Sequence, residues 1–188
     1  AASDGANGAG IHSDTGAVRA RRIVIRDNDG NAVAVGRAGA SLELTQAVLG
    51  EARTPAPATM GRGIFLAEGA RGVVRDVRID AASEVGLYGV NGAEMDISDV
   101  VIRDTVATDT GTFGRGFVLQ NDAIVDAQRV LIEGVRDVGA FITSRSRLNA
   151  EDWIIRAVSE ATAGGRGGGV EAYTNADVTF TRLSIEDV

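Results

Sequence analysis

Cysteine is absent from this chain, and so is lysine. Without cysteine there is no disulfide framework, no zinc–thiolate site and no cysteine nucleophile. All 19 basic side chains are arginine, set against 26 acidic ones, and the net charge of −7 argues against a nucleic-acid or anionic-membrane partner. No apolar run approaches the roughly 18 residues that a membrane-spanning helix needs. There are 2 prolines and 1 histidine, and aromatic residues make up 4%. That single His12 leaves no Ser-His-Asp set and no metal-spaced histidine pair. The stretch GRGGG at 165–169 is followed by no helical pattern, so it is not a phosphate cradle. No cofactor, metal site or catalytic residue is expected. Rich in Ala, Gly, Val and Asp, the lysine-free chain fits a GC-rich bacterial genome. It begins with Ala and shows no signal peptide, so either a leader has been removed or the chain is an excised segment.

What is there is a repeat. GRGIFLAEGARGVVRDVRIDAASEVG begins at residue 61 and GRGFVLQNDAIVDAQRVLIEGVRDVG at 114, a gapless offset of 53 residues. GAGI at residue 8 and GGGV at 167 extend the same period. Each 53-residue unit divides into a shorter and a longer piece. Seven pieces begin their apolar pattern at Ile11, Val33, Ile64, Leu87, Phe117, Ala140 and Val170. Farther on, each has a small residue: Gly16, Ala40, Ala70, Ala93, Ala123, Ser146 and Ala176. Counted from it, apolar residues fall at +2, +4, +7 and +9. In one piece these are Met95, Ile97, Val100 and Ile102. Across all seven pieces the five columns hold no polar residue except Ser146. Steps of two are strand alternation, and the step of three is a bend; a helix would show a period of 3.6.

The spacing therefore predicts an all-β parallel β-helix of about seven coils, each with three short strands, built on a two-coil repeat of 53 residues. Stacked at about 4.8 Å, seven coils make a rod on the order of 34 Å long. Gly63, Gly86, Gly116, Gly139 and Gly169 precede the first strand, where a tight turn with positive φ is expected. Every second coil ends in a longer loop, at 50–63, 103–116 and 156–169, and all three leave one corner.

The glycine before each first strand and the rhythm Val100-Val101-Ile102-Arg103-Asp104 resemble the right-handed parallel β-helix repeat family. That family includes pectate lyases, polygalacturonases, other polysaccharide lyases and uncharacterised bacterial surface proteins. The resemblance covers the whole chain and implies the right-handed winding. Its motif describes the core and is silent on the surface, so no catalytic residue is carried over. Residues 1–188 are read as a single β-helix domain, a segment of a longer β-helix or one whose ends another chain covers.

Between the core positions of the first strand, His12, Ala34, Phe65, Tyr88, Val118, Phe141 and Glu171 face outward. In a chain so poor in aromatics, Phe65, Tyr88 and Phe141 are the candidate ligand-binding residues, because aromatic faces in a row suit a sugar polymer. Two alternatives are that the loops fold back over the row or that a partner covers it. A second outward column, Val24, Val48, Arg78, Val101, Leu131, Ile154 and Ser184, is mostly aliphatic and is expected to lie under a loop. Asp76 and Asp99, near Asp96 and Asp126, are the one place for an acid–base pair or a Ca²⁺ site; the alternative is aspartate–arginine pairing along a solvated bend. The leading expectation is a non-catalytic scaffold or binding segment of a bacterial cell-surface or secreted protein, contacting polysaccharide. The alternatives are a polysaccharide lyase or glycosidase, and a structural segment that self-associates end to end or laterally.

Overall fold

The computed structural model describes residues 8–52, 61–108, 111, 113–161 and 167–188. Among them there are no helices, only strands that form two parallel sheets of seven. One sheet holds β1 (Ile11–Ser13), β3 (Val33–Val35), β5 (Arg62–Ala67), β7 (Val85–Val90), β9 (Arg115–Gln120), β11 (Val138–Ile142) and β13 (Gly168–Ala172), side by side in that order. The other holds β2 (Ala17–Arg26), β4 (Ser41–Gly50), β6 (Arg71–Asp80), β8 (Glu94–Arg103), β10 (Ile124–Glu133), β12 (Arg147–Arg156) and β14 (Asp177–Glu186). Each sequence piece thus contributes one strand to each sheet, and each strand pairs with the corresponding strand of the next piece.

The register is the one the apolar columns predict. Val125 lies between Met95 and Leu148, Ala127 between Ile97 and Ala150, Val130 between Val100 and Trp153, and Ile132 between Ile102 and Ile155. A slip of one residue would turn every apolar side chain to the opposite face, so the columns allow one pairing only. These side chains, with those of the odd-numbered strands, form one hydrophobic cluster. Each fully buried Leu, Ile or Val in it contributes about 1.5–3 kcal/mol of transfer free energy. Trp153 is wholly buried, edge-on to Phe117 at 5.2 Å and to Phe180 at 5.8 Å between ring centroids. Ala127 and Ala150, with Ala20 the smallest residues of their column, stand in the same stretch. The one polar column member, Ser146, is wholly buried, and its Oγ accepts a hydrogen bond from the Ala123 amide at 3.2 Å.

The expected second and third short strands are one ten-residue strand. The step of three is a single residue in the left-handed conformation: Arg22, Gln46, Asp76, Asp99, Arg129, Asp152 or Arg182, with φ between 52° and 61°. The ladder passes over that residue and resumes on its far side, as from Gln128–Glu151 to Val130–Trp153. One residue turns the chain, at the cost of its own ladder hydrogen bonds and about 1–2 kcal/mol of left-handed strain.

Positive φ was also expected at the glycines that open the odd strands, and there the structure differs. None of the five carries positive φ; they are glycine for lack of space. A Cβ on Gly63 would lie 2.4 Å from Ile79 Cγ2, on Gly86 2.4 Å from Ile102 Cγ2, and on Gly116 2.5 Å from Ile132 Cγ2. Gly139 against Ile155, Gly169 against Ile185 and Gly10 against Ile25 repeat the contact at 2.5, 2.7 and 2.6 Å. In the remaining piece the position before the first apolar residue is Ala32, and its +9 residue is Leu49. Leucine is not branched at Cβ and has no Cγ2 methyl, so the one alanine occurs where the one leucine does.

Candidate functional site

The odd-numbered strands place the candidate residues in one outward row. His12 pairs with Ala34, Ala34 with Phe65, Phe65 with Tyr88, Tyr88 with Val118, Val118 with Phe141 and Phe141 with Glu171. The row is the one expected, but its aromatic members form two groups. Phe65 and Tyr88 touch, with ring centroids 5.6 Å apart and planes at 54°. Val118, buried at 3% exposure, stands between Tyr88 and Phe141. Phe141 meets Tyr173 instead, at 5.8 Å. Phe65, Tyr88 and Phe141 are all half-buried, whereas Tyr173 is 52% and Phe113 41% exposed.

What covers part of each ring is an arginine that sequence reasoning missed. The Arg62 guanidinium carbon sits 4.6 Å from the Phe65 ring centroid and 4.5 Å from that of Tyr88. Its Nε donates to Glu84 Oε2 at 2.7 Å and its Nη2 to Oε1 at 3.2 Å. Both residues are buried, at 8% and 7% exposure. Arg115 repeats the arrangement: 4.1 Å from the Phe141 ring, 5.2 Å from Phe113, and 2.6 Å from Asp137. A guanidinium over a ring gains about 0.5–2 kcal/mol from the ring quadrupole, and the bidentate pair with Glu84 fixes the plane of the Arg62 guanidinium. The signal was in the repeat. Arg62 and Arg115 lie one 53-residue period apart, as do Glu84 and Asp137, so the duplicated stretch duplicates a clamp.

The Tyr88 hydroxyl donates to the Gln120 side-chain carbonyl. Burial pushes its pKa up, against the lowering influence of Arg62 and Arg115, so the hydroxyl stays protonated and remains a donor. The base of the neighbouring loop is fastened to the clamp. The Gly114 and Arg115 amides both donate to the Glu84 carbonyl at 3.0 Å, and buried Thr105 donates to the Gly114 carbonyl. Residues 53–60, 109–110, 112 and 162–166 of the three long loops lie outside the described residues, so the expectation that loops cover the row falls partly there.

Asp76 and Asp99 stand at the adjacent bends of β6 and β8 and line one hollow, as expected, but Asp99 is taken up by an arginine. Asp99 is held by Arg129 through bonds of 2.6 and 2.8 Å, and Asp122 by Arg145 at 2.8 and 2.7 Å. Arg182 holds Asp152, and Glu133 is shared by Arg103 at 2.7 Å and Arg156 at 2.6 Å. Asp96 and Asp126 are neighbours in register, and Asp126 accepts from Asn149 at 2.7 Å. Hydrogen bonds from Arg129, Arg145 and Arg182 are the main cause holding Asp99, Asp122 and Asp152 below the ordinary aspartate range. A general acid near neutral pH needs the opposite shift. A lowered carboxylate stabilises the fold above the unfolded-state value and ceases to as pH falls through the folded one. Stability to urea is therefore expected to hold from neutrality to about pH 5 and to decline between roughly pH 4 and 2. The triple variant Asp99→Asn/Asp122→Asn/Asp152→Asn should flatten part of that decline. The effect is small, because all three pairs are at the surface.

Two other surfaces lie on the sheet of the even-numbered strands. The second outward column is in register as expected, but Val24 is 62% and Ile154 41% exposed, so no loop buries them. A hollow of about 580 Å³ lies across β2, β4, β6, β8 and β10, on the sheet away from the aromatic row. It is an open trough between side-chain rows, walled by the Arg19–Glu43 and Arg71–Glu94 pairs at 3.4 and 3.1 Å. Among the described residues no three His, Cys, Asp or Glu side chains gather as a metal site, and no helix is long and apolar enough to cross a membrane. Compared with known proteins, the chain matches no family model, no curated protein and no solved structure.

Proposed function

We propose that the two sheets are faces of a right-handed parallel β-helix, and that this rod is a non-catalytic scaffold whose aromatic face binds polysaccharide outside a bacterial cell. The alternation of each piece between the sheets supports the winding, and right-handed crossovers are the rule for parallel strands. The observation that carries the binding reading is the rigid face itself. Phe65 and Tyr88 lie against the buried Arg62–Glu84 pair and Phe141 against the partly buried Arg115–Asp137 pair, and the exposed rings of Tyr173 and Phe113 extend the surface. A pre-organised apolar platform binds without an ordering cost. Arg62 and Arg115 are neutralised by their own carboxylates and the chain is acidic, so a neutral polymer fits better than a uronate.

Screening the folded chain against immobilised polysaccharides tests this. Binding to a neutral polymer is expected, weakened roughly fivefold or more by Tyr173→Ala, whose ring is 52% exposed. Phe65→Ala/Tyr88→Ala should abolish it. Absence of binding by folded protein, or binding indifferent to these changes, would overturn the reading.

A further inference from the structure

The turn that joins β2 to β3 reads Asp27-Asn28-Asp29-Gly30-Asn31. Two of its side-chain oxygens, Asn28 Oδ1 and Asn31 Oδ1, are shielded from solvent and accept no hydrogen bond. The third buried side-chain atom without a hydrogen bond among the described residues, Arg103 Nε, has Glu133 at 2.7 Å. The two asparagine oxygens are therefore the buried side-chain acceptors left without a donor among the described residues. Each such acceptor costs about 1–3 kcal/mol of lost solvation. Asn31 is 6% exposed. The Asn28 amide is oriented by its own Nδ2, which donates to the Gly30 carbonyl at 3.2 Å and leaves Oδ1 on the other side. Backbone geometry holds the turn tight. Asp27 has φ 54° and Gly30 φ 116°, and a Cβ on Gly30 would lie 2.3 Å from the Gly8 carbonyl oxygen.

Unfilled carbonyl oxygens in a turn that also carries a carboxylate, Asp29, suit a hard cation. We propose that the 27–31 turn is a Ca²⁺ site, with Asn28 Oδ1 and Asn31 Oδ1 as neutral ligands and the exposed Asp29 carboxylate supplying charge. Ca²⁺ takes six to eight oxygens in flexible geometry, so water and backbone carbonyls complete the shell. Mg²⁺ is disfavoured because it demands a near-ideal octahedron and sheds water reluctantly. Zinc is disfavoured because the turn has no histidine or cysteine. Bound Ca²⁺ would fasten the turn that leads into β3, the strand beside β5 and its Phe65.

Calorimetric titration of the whole chain with CaCl₂, after EDTA treatment and dialysis, tests the site. One saturable event with a submillimolar Kd is expected, with weaker heat from MgCl₂. Asp29→Asn, at an exposed position, should weaken it about tenfold or more. Asp14→Asn, an exposed acid elsewhere, should leave it unchanged. Asn31→Leu separates a ligand from a merely tolerated orphan. In EDTA it should melt no lower than the wild type, and its Tm should no longer rise with Ca²⁺. No saturable heat up to about 5 mM CaCl₂, or a response that survives Asp29→Asn and Asn31→Leu, would overturn the proposal.

Discussion

Gly86→Ala should destabilise the protein by about 3 kcal/mol, lowering Tm by roughly 10 °C. The added methyl would meet Ile102 Cγ2 at 2.4 Å and the Gly116 carbonyl oxygen at 2.7 Å. Neither can retreat easily, since Ile102 is wholly buried and Gly116 belongs to the next strand of the sheet. Ile102→Leu alone should cost about 1 kcal/mol as a volume-conserving change. Combined, the two should cost less than their sum by at least about 1 kcal/mol, because leucine removes the Cγ2 methyl, as at Ala32 and Leu49. Rescue stays partial because the carbonyl contact remains. Urea denaturation of the four proteins measures the coupling, and strict additivity would show that the glycine is not matched to the β-branched residue.

Glu84→Gln is the other large effect. It leaves Arg62 charged and buried with only a neutral amide to accept from it, at a cost of about 3–5 kcal/mol. The same change loosens Phe65 and Tyr88, on which Arg62 lies, so polymer binding should fall along with stability. Replacing both partners, as Arg62→Leu/Glu84→Leu, removes the unpaired charge and should recover most of the stability, because burying an ion pair brings little net gain. Asp137→Asn should cost less, since Arg115 and Asp137 retain 18% and 13% side-chain exposure. A loss below about 1 kcal/mol for Glu84→Gln in chemical denaturation would contradict the clamp.

The core was legible because its signal is redundant. Seven copies of one apolar spacing fix which residues align, and Val125 or Ile132 could be assigned neighbours 23 and 30 residues away from spacing alone. The bend was legible as a step of three, but its conformation was not: arginine and glutamine carry no mark of left-handed φ, and aspartate, which tolerates it, stands at three of the seven bends. The strand-opening glycines were misread because glycine serves both positive φ and tight space, and only the facing Ile79 or Ile102 decides which. For the site, the row of Phe65, Tyr88 and Phe141 followed from strand alternation. Its clamp did not, because Arg62 and Glu84 are 22 residues apart and each looks like a solvated surface charge. Their recurrence as Arg115 and Asp137 was the available clue. The division of the row into two groups depends on Val118, whose burial comes from the neighbours that packing supplies.

Everything on both faces depends on the register, and the absence of cysteine makes that register directly measurable. Asp96→Cys/Asp126→Cys places one nitroxide label on each of two exposed, adjacent strand positions. Electron paramagnetic resonance should report strong coupling at a backbone separation of about 4.8 Å, and weaker coupling for Asp96→Cys/Asn149→Cys, two strands apart at about 10 Å. Labels at 96 and 126 separated by more than roughly 20 Å, or no difference between the two pairs, would contradict the stacking of the 53-residue repeat.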